Sequence, residues 1–203
     1  GAGGSEYSEN RKALQSSMAV PWDKEGRGDL VARLARRIFT YTNEHTNYRL
    51  NVEGQEDIMS IQYTGTGKNS TEARDRYMPH CDGDCQGGKY VPGGRVATML
   101  MYCAAPDLGG NTNFRNANVQ VKPVPGSATW FTYASVEHEG GKVTGGTQDE
   151  GLSEHSGCPV VEGTKKILTL WMRAGVSREE PWNSFDTRGL KKGEVEKFKE
   201  RVE

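Results

Sequence analysis

The chain has 203 residues and is 26% charged, with 26 basic against 27 acidic side chains and a formal net charge of −1. That length suits one domain with a real core, and so even a balance excludes a global field that would attract nucleic acid or an acidic membrane. No apolar run approaches the roughly 20 residues of a membrane-spanning helix, and four cysteines are too few for a disulfide scaffold.

The opening "GAGGSEYSEN" lacks the basic start and apolar centre of a signal peptide. Residues 1–28 are therefore expected to be an N-terminal segment, partly disordered or foreign to the domain. The main domain is expected over 29–175, with a C-terminal extension over 176–203. In "DLVARLARRIFTY" Leu30, Leu34 and Ile38 fall four apart with arginines between them, which predicts an amphipathic helix capped by Asp29. The period then changes. Met59, Ile61 and Tyr63 alternate with Ser60 and Gln62, as in a half-buried strand, and "TGTGKNSTEARD" after it is a polar loop. That loop holds Asn69-Ser70-Thr71, a glycosylation sequon that matters only in a secretory compartment.

The run "RVATMLMYC", Arg95 to Cys103, is apolar on both faces and bounded by Gly/Pro turns, as expected of a central strand. Further strands are predicted at Asn118 to Lys122, Ala128 to Tyr133, Cys158 to Val161 and Lys166 to Arg173. Many short strands with such turns point to a mainly β fold with flanking helices, an antiparallel sandwich or jelly roll. In the tail, Val195, Phe198 and Val202 share one face of a predicted charged helix. No long apolar stripe is left unassigned, so a monomer is expected.

The chemistry concentrates in "YMPHCDGDC", Tyr77 to Cys85. His80 and Asp82 are two residues apart, so on a strand or its end both side chains point the same way and can share one ion. His155, just before the strand predicted at Cys158, is the best third ligand. Two histidines and a carboxylate form the facial triad of non-haem Fe(II) oxygenases. Zinc held by His80, Cys81 and Cys85 is the alternative, but it crowds three ligands into six residues with no distant fourth. Cys81 and Cys85 also suit a small loop closure. His45 and His138 lie in polar surroundings and read as solvated surface residues.

Several motifs agree in order and spacing with one family. These are Tyr77-Met78-Pro79-His80-Cys81-Asp82, Arg95 to Tyr102, Gly109 to Phe114, Val121 to Phe131, and His155 to Val160 with a lysine ten residues after the histidine. Over about Gln55 to Arg173 the chain resembles the collagen-type prolyl 4-hydroxylases of the 2-oxoglutarate- and Fe(II)-dependent dioxygenases. The resemblance implies a cupin-like double-stranded β-helix with Fe(II) on His80, Asp82 and His155. It also implies 2-oxoglutarate and O2 as cosubstrates, ascorbate as the accompanying reductant, and a proline-containing peptide as substrate. The implied reaction is C4 hydroxylation of peptidyl proline with release of succinate and CO2, in the endoplasmic reticulum or secretory pathway. Lys165 is implied for the far carboxylate of 2-oxoglutarate by family spacing, since alternation alone cannot choose between Lys165 and Lys166. Tyr63 matches a second 2-oxoglutarate residue, and Tyr77 and Arg95 match positions along the peptide groove. Competing readings are a dioxygenase of the same fold acting on another residue or a small molecule, and a non-catalytic binding homologue. The family's N-terminal strand and helix are not evident before Asp29, and the cysteine that often precedes "V-K-P" in relatives is missing, which leaves Cys158 a free thiol.

Overall fold

The computed structural model describes residues 11–193. In chain order the strands are β1 (Arg11–Lys12), β2 (Leu14–Met18), β3 (Ile58–Thr64), β4 (Arg76–His80), β5 (Arg95–Ala104), β6 (Leu108–Gly109) and β7 (Thr112–Phe114). They continue as β8 (Val119–Val121), β9 (Ala128–Thr132), β10 (Ala134–Glu139), β11 (Lys142–Gln148), β12 (His155–Gly157), β13 (Val160–Glu162) and β14 (Thr164–Arg173). Helix α1 spans Leu30–His45. A major sheet, β2-β3-β14-β5-β9, and a minor sheet, β1-β4-β12-β7-β8, carry the architecture, with the short pairs β10-β11 and β13-β6 beside them. Every registered pair is antiparallel. This is a jelly roll, as the strand count and turns predict.

β5 and β14 are the centre of the major sheet because their side chains are wanted on both faces. On one face Met99, Leu170 and Met172 pack with Ile38 and Phe39 of α1. On the other, Leu100, Tyr102 and Ile167 join Ile61, Tyr63 and Val160 in a second core between the sheets. The alternation of β14 thus separates a helix-facing row from a row that looks into the sandwich.

Helix α1 begins where the sequence predicts, with the Asp29 carboxylate accepting the Val31 and Ala32 amides at 3.0 Å each. Its buried face keeps Ile38 of the predicted stripe but not the two leucines. Leu30 is 78% exposed and Leu34 is at the surface, while Ala32, Ala35, Ile38, Phe39 and Thr42 are buried. The fully buried alanines leave room for Phe39, which packs on Trp22 with ring centroids 6.1 Å apart. Leucine spacing marked a stripe, but the sheet received the adjacent one.

The boundary expected at residue 29 also moves. β1 pairs with β4 and β2 pairs with β3, so residues 11–18 join the minor sheet to the major one along an edge. "LQSSM" carries too little apolar alternation to announce a strand, because its pattern is mostly exposed. Residues 134–148 form another unannounced hairpin, β10-β11, and His138 therefore sits on a strand, half-buried. At the other end, Trp182 donates its amide to the Gly54 carbonyl at 2.8 Å and Phe185 is buried. The charged helix expected around Val195, Phe198 and Val202 lies outside the described residues. No helix among the described residues is long and apolar enough to cross a membrane.

Candidate active site

His80 closes β4 and His155 opens β12, and the two are register partners across the minor sheet. Asp82 follows in a turn closed by a disulfide between Cys81 and Cys85, whose Cα atoms are 6.1 Å apart. The turn packs tightly against the domain, since a Cβ on Gly83 would lie 2.9 Å from the Tyr133 ring. Ligand atoms of His80, Asp82 and His155 all fall within 4.8 Å of one another. His80 Nε2 is 3.6 Å from Asp82 Oδ1, and His155 Nε2 is 3.8 Å from Oδ2.

The far nitrogens decide the tautomers. His80 Nδ1 bonds to the Met78 carbonyl at 2.8 Å and His155 Nδ1 to the Ser153 carbonyl at 3.0 Å. Carbonyls only accept, so each Nδ1 carries a proton, and in the neutral imidazole each Nε2 presents a lone pair towards Asp82. Two such lone pairs and a carboxylate converging on one point fit a divalent ion of the Fe(II) type. The Thr98 hydroxyl donates to Asp82 Oδ2 at 2.6 Å, fixing the carboxylate from behind.

Electrostatics agree with that reading. Burial alone would raise the Asp82 carboxyl, but His155, His80 and Arg95 outweigh it and hold it below the usual carboxylate range. Burial pulls His155 down, against the opposing pull of Asp82. Aromatic rings wall the histidines. Tyr77 stacks on His80 at 3.5 Å between centroids, and Phe114 and Phe131 lie 5.3 and 4.9 Å from His155.

One cleft contains these ligands together with Tyr63, Tyr77, Thr112 and Lys165. Lys165 is 2% exposed, whereas Lys166 is at the surface. Its ammonium donates to Thr112 Oγ1 at 3.5 Å and lies 5.7 Å from the ring centroids of both Tyr63 and Tyr102. No carboxylate among the described residues pairs with it, and burial pulls its pKa down to about 8. Tyr63 is its register partner on β3, 3% exposed, with its phenol raised by burial.

Tyr77 and Arg95 have different surroundings. Tyr77 lines the cleft, but Arg95 turns away from it and gives its guanidinium to Glu56, Nε to Oε1 and Nη2 to Oε2, both at 2.6 Å. Arg95 Nη1 also donates to the Asp82 carbonyl at 3.3 Å, and the guanidinium lies 4.1 Å from the Trp171 ring centroid. Glu56, Thr98 and Thr112 escaped the sequence reading as site residues. Thr98 and Thr112 lie inside the motifs Arg95 to Tyr102 and Gly109 to Phe114, which mark their neighbourhood. Glu56, in "GQED", carries no local signal.

Known proteins similar to this chain point the same way. The family model of the 2OG-Fe(II) oxygenase superfamily matches residues 66–173. Prolyl 4-hydroxylase subunit alpha-1 of Caenorhabditis elegans is 28% identical over 183 residues, covering 87% of this chain and 28% of that protein. Probable prolyl 4-hydroxylase 3 of Arabidopsis thaliana is 28% identical over 167 residues, covering 75% and 52%. The chain thus spans about half or less of the length of these relatives. Among solved structures, the 2OG complex of the viral collagen prolyl hydroxylase from Paramecium Bursaria Chlorella virus-1 superposes with TM-score 0.56 at 23% identity, over 81% of this chain and 80% of that one. A Trichoplax adhaerens prolyl hydroxylase, in complex with a hypoxia inducible factor oxygen degradation domain peptide fragment, gives 0.53 at 19% identity over 85% and 68%. These two likenesses speak for the fold.

Proposed function

This chain belongs to the 2OG-Fe(II) oxygenase superfamily and is prolyl 4-hydroxylase-like, and from that premise we propose that it hydroxylates peptidyl proline at C4 in a proline-rich or collagen-like polypeptide. The observation that carries the proposal is the convergence of His80, Asp82 and His155 in one cleft with a buried, carboxylate-free Lys165. A cleft that keeps an unpaired ammonium out of water has a reason to do so if its ligand brings the carboxylate.

His80, Asp82 and His155 would hold Fe(II), and Lys165 with Tyr63 would hold the far carboxylate of 2-oxoglutarate. When bound, the iron and this cosubstrate supply the oxidising power, with succinate and CO2 released. The chain's own work is geometric. The tautomer-fixing carbonyls aim the imidazoles, Thr98 and the Arg95 contact hold the Asp82 turn, and Phe114 and Phe131 exclude water behind His155. Tyr77 would touch the peptide. Arg95 would act at one remove, through the Asp82 carbonyl. The Cys81–Cys85 disulfide and the exposed sequon at Asn69 support a secretory setting such as the endoplasmic reticulum.

The test is succinate release from 2-oxoglutarate with Fe(II) and ascorbate, in the presence and absence of poly-proline and Pro-Pro-Gly peptides, with His155→Ala as control. Peptide-dependent succinate that is lost in the variant, with a mass gain of one oxygen on proline, is the expected result. Succinate formation that no proline peptide stimulates would overturn the substrate assignment.

A further inference from the structure

Arg11 lines the same cleft as the three candidate iron ligands and Lys165. It arrives on β1, a strand of two residues, and its register partner on β4 is Tyr77. Its guanidinium carbon lies 4.8 Å from the Tyr77 ring centroid, and the other contact of that ring is the 3.5 Å stack on His80. Arg11 is half-buried, and none of the described carboxylates is in ion-pair reach of it, whereas its neighbour Lys12 pairs with Asp75 at 3.5 Å. Its strand is the edge of the minor sheet and its side chain lines the cleft, and the phenols of Tyr63 and Tyr77 both feel its positive charge.

A guanidinium at a cleft edge, stacked on a ring and with no described carboxylate beside it, can accept an anion from the ligand side. The charges of the proposed reaction leave it without one. Divalent iron and the Lys165 ammonium together balance the Asp82 carboxylate and the dianionic cosubstrate, so the Arg11 charge remains in excess. Lys165 is 2% exposed and deep, while Arg11 is nearer to solvent, where a polypeptide can reach it. We propose that Arg11 is a specificity residue that receives a carboxylate of the peptide substrate, an acidic side chain flanking the target residue. The inference rests on the proposed function and deepens it. The shared chemistry is a carboxylate, and the other source of one is 2-oxoglutarate itself.

The experiment uses wild-type, Arg11→Gln and Arg11→Lys proteins loaded with Mn(II). Fluorescence anisotropy measures binding of two labelled proline peptides that differ only in Glu or Gln beside the proline, and calorimetry measures the Kd of 2-oxoglutarate. The wild type is expected to prefer the Glu peptide by about tenfold, Arg11→Gln to lose that preference, and Arg11→Lys to keep part of it, with 2-oxoglutarate binding unchanged. A preference that survives in Arg11→Gln, or a wild type with none, overturns the proposal. Weaker 2-oxoglutarate binding in Arg11→Gln with no effect on the peptides also overturns it, and moves Arg11 to the cosubstrate. An Arg11-dependent preference in a protein that gives no succinate with proline peptides would sink the proposed reaction and leave this inference standing.

Discussion

Glu56 holds Arg95 by both carboxylate oxygens at 2.6 Å, and Oε1 also receives Nε of Arg173 at 2.6 Å. Arg173 in turn donates to the carbonyls of Gly93 and Asp186, so one buried carboxylate ties β5, β14 and the C-terminal segment to the Asp82 turn. Two arginines depend on a single acid.

Glu56→Gln removes the charge that the buried Arg173 and the half-buried Arg95 share as their hydrogen-bonded counter-ion. The expected cost is about 3–5 kcal/mol, seen as a fall in Tm of roughly 10 °C. Thermal unfolding followed by circular dichroism checks the stability. Co(II) absorption spectra check whether the metal environment changes with it, as the Arg95 bond to the Asp82 carbonyl requires.

Thr98→Val keeps the shape of the side chain and deletes the 2.6 Å bond to Asp82 Oδ2. A ligand that loses such support typically costs about 10–100-fold in metal affinity. Competition titration with a coloured chelator measures it. An unchanged metal Kd would mean that the turn, and not Thr98, orients the carboxylate.

Lys165 makes cosubstrate binding depend on pH. In the free protein its pKa is lowered to about 8 by burial, from an ordinary 10.5. Below about 8 it is charged and ready for a carboxylate, and above that it must first take up a proton. Affinity for 2-oxoglutarate is therefore expected to weaken as pH rises past 8, by up to about tenfold per unit, with proton uptake on binding. Calorimetry in buffers of different ionisation enthalpy detects that proton. Lys165→Ala should bind more weakly and lose the pH dependence. The stability of the free protein moves the other way, because between 8 and 10.5 the unfolded chain holds more protons and folding gains as pH rises.

Cys81→Ser with Cys85→Ser opens the loop that carries Asp82. His80 and His155 stay on their strands, so the double variant should remain folded while its metal Kd weakens, by about tenfold or less. Reduction of the wild type should mimic it, and chelator competition with and without reductant makes the comparison.

Local pattern was enough for the parts of this protein that repeat along the chain. The Asp29 cap, the central strand from Arg95, the strands around Met59 and Lys166, and the two-residue spacing of His80 and Asp82 were all legible, because helix caps and strand alternation are written in neighbouring residues. His155 stood out by its place just before a predicted strand, and family spacing added the preference for Lys165. Tertiary structure decided what covers each face. Both rows of β14 are apolar, and only the packing of α1 on Leu170 and Met172 turns Lys165 inward. Residues 11–18 became strands by pairing with β4 and β3 at an edge, which their own polar sequence does not announce. Glu56 found Arg95, 39 residues away, through a buried contact that leaves no trace in local spacing. Periodicity states that a residue has two sides, and the rest of the chain determines which of them meets solvent, core or ligand.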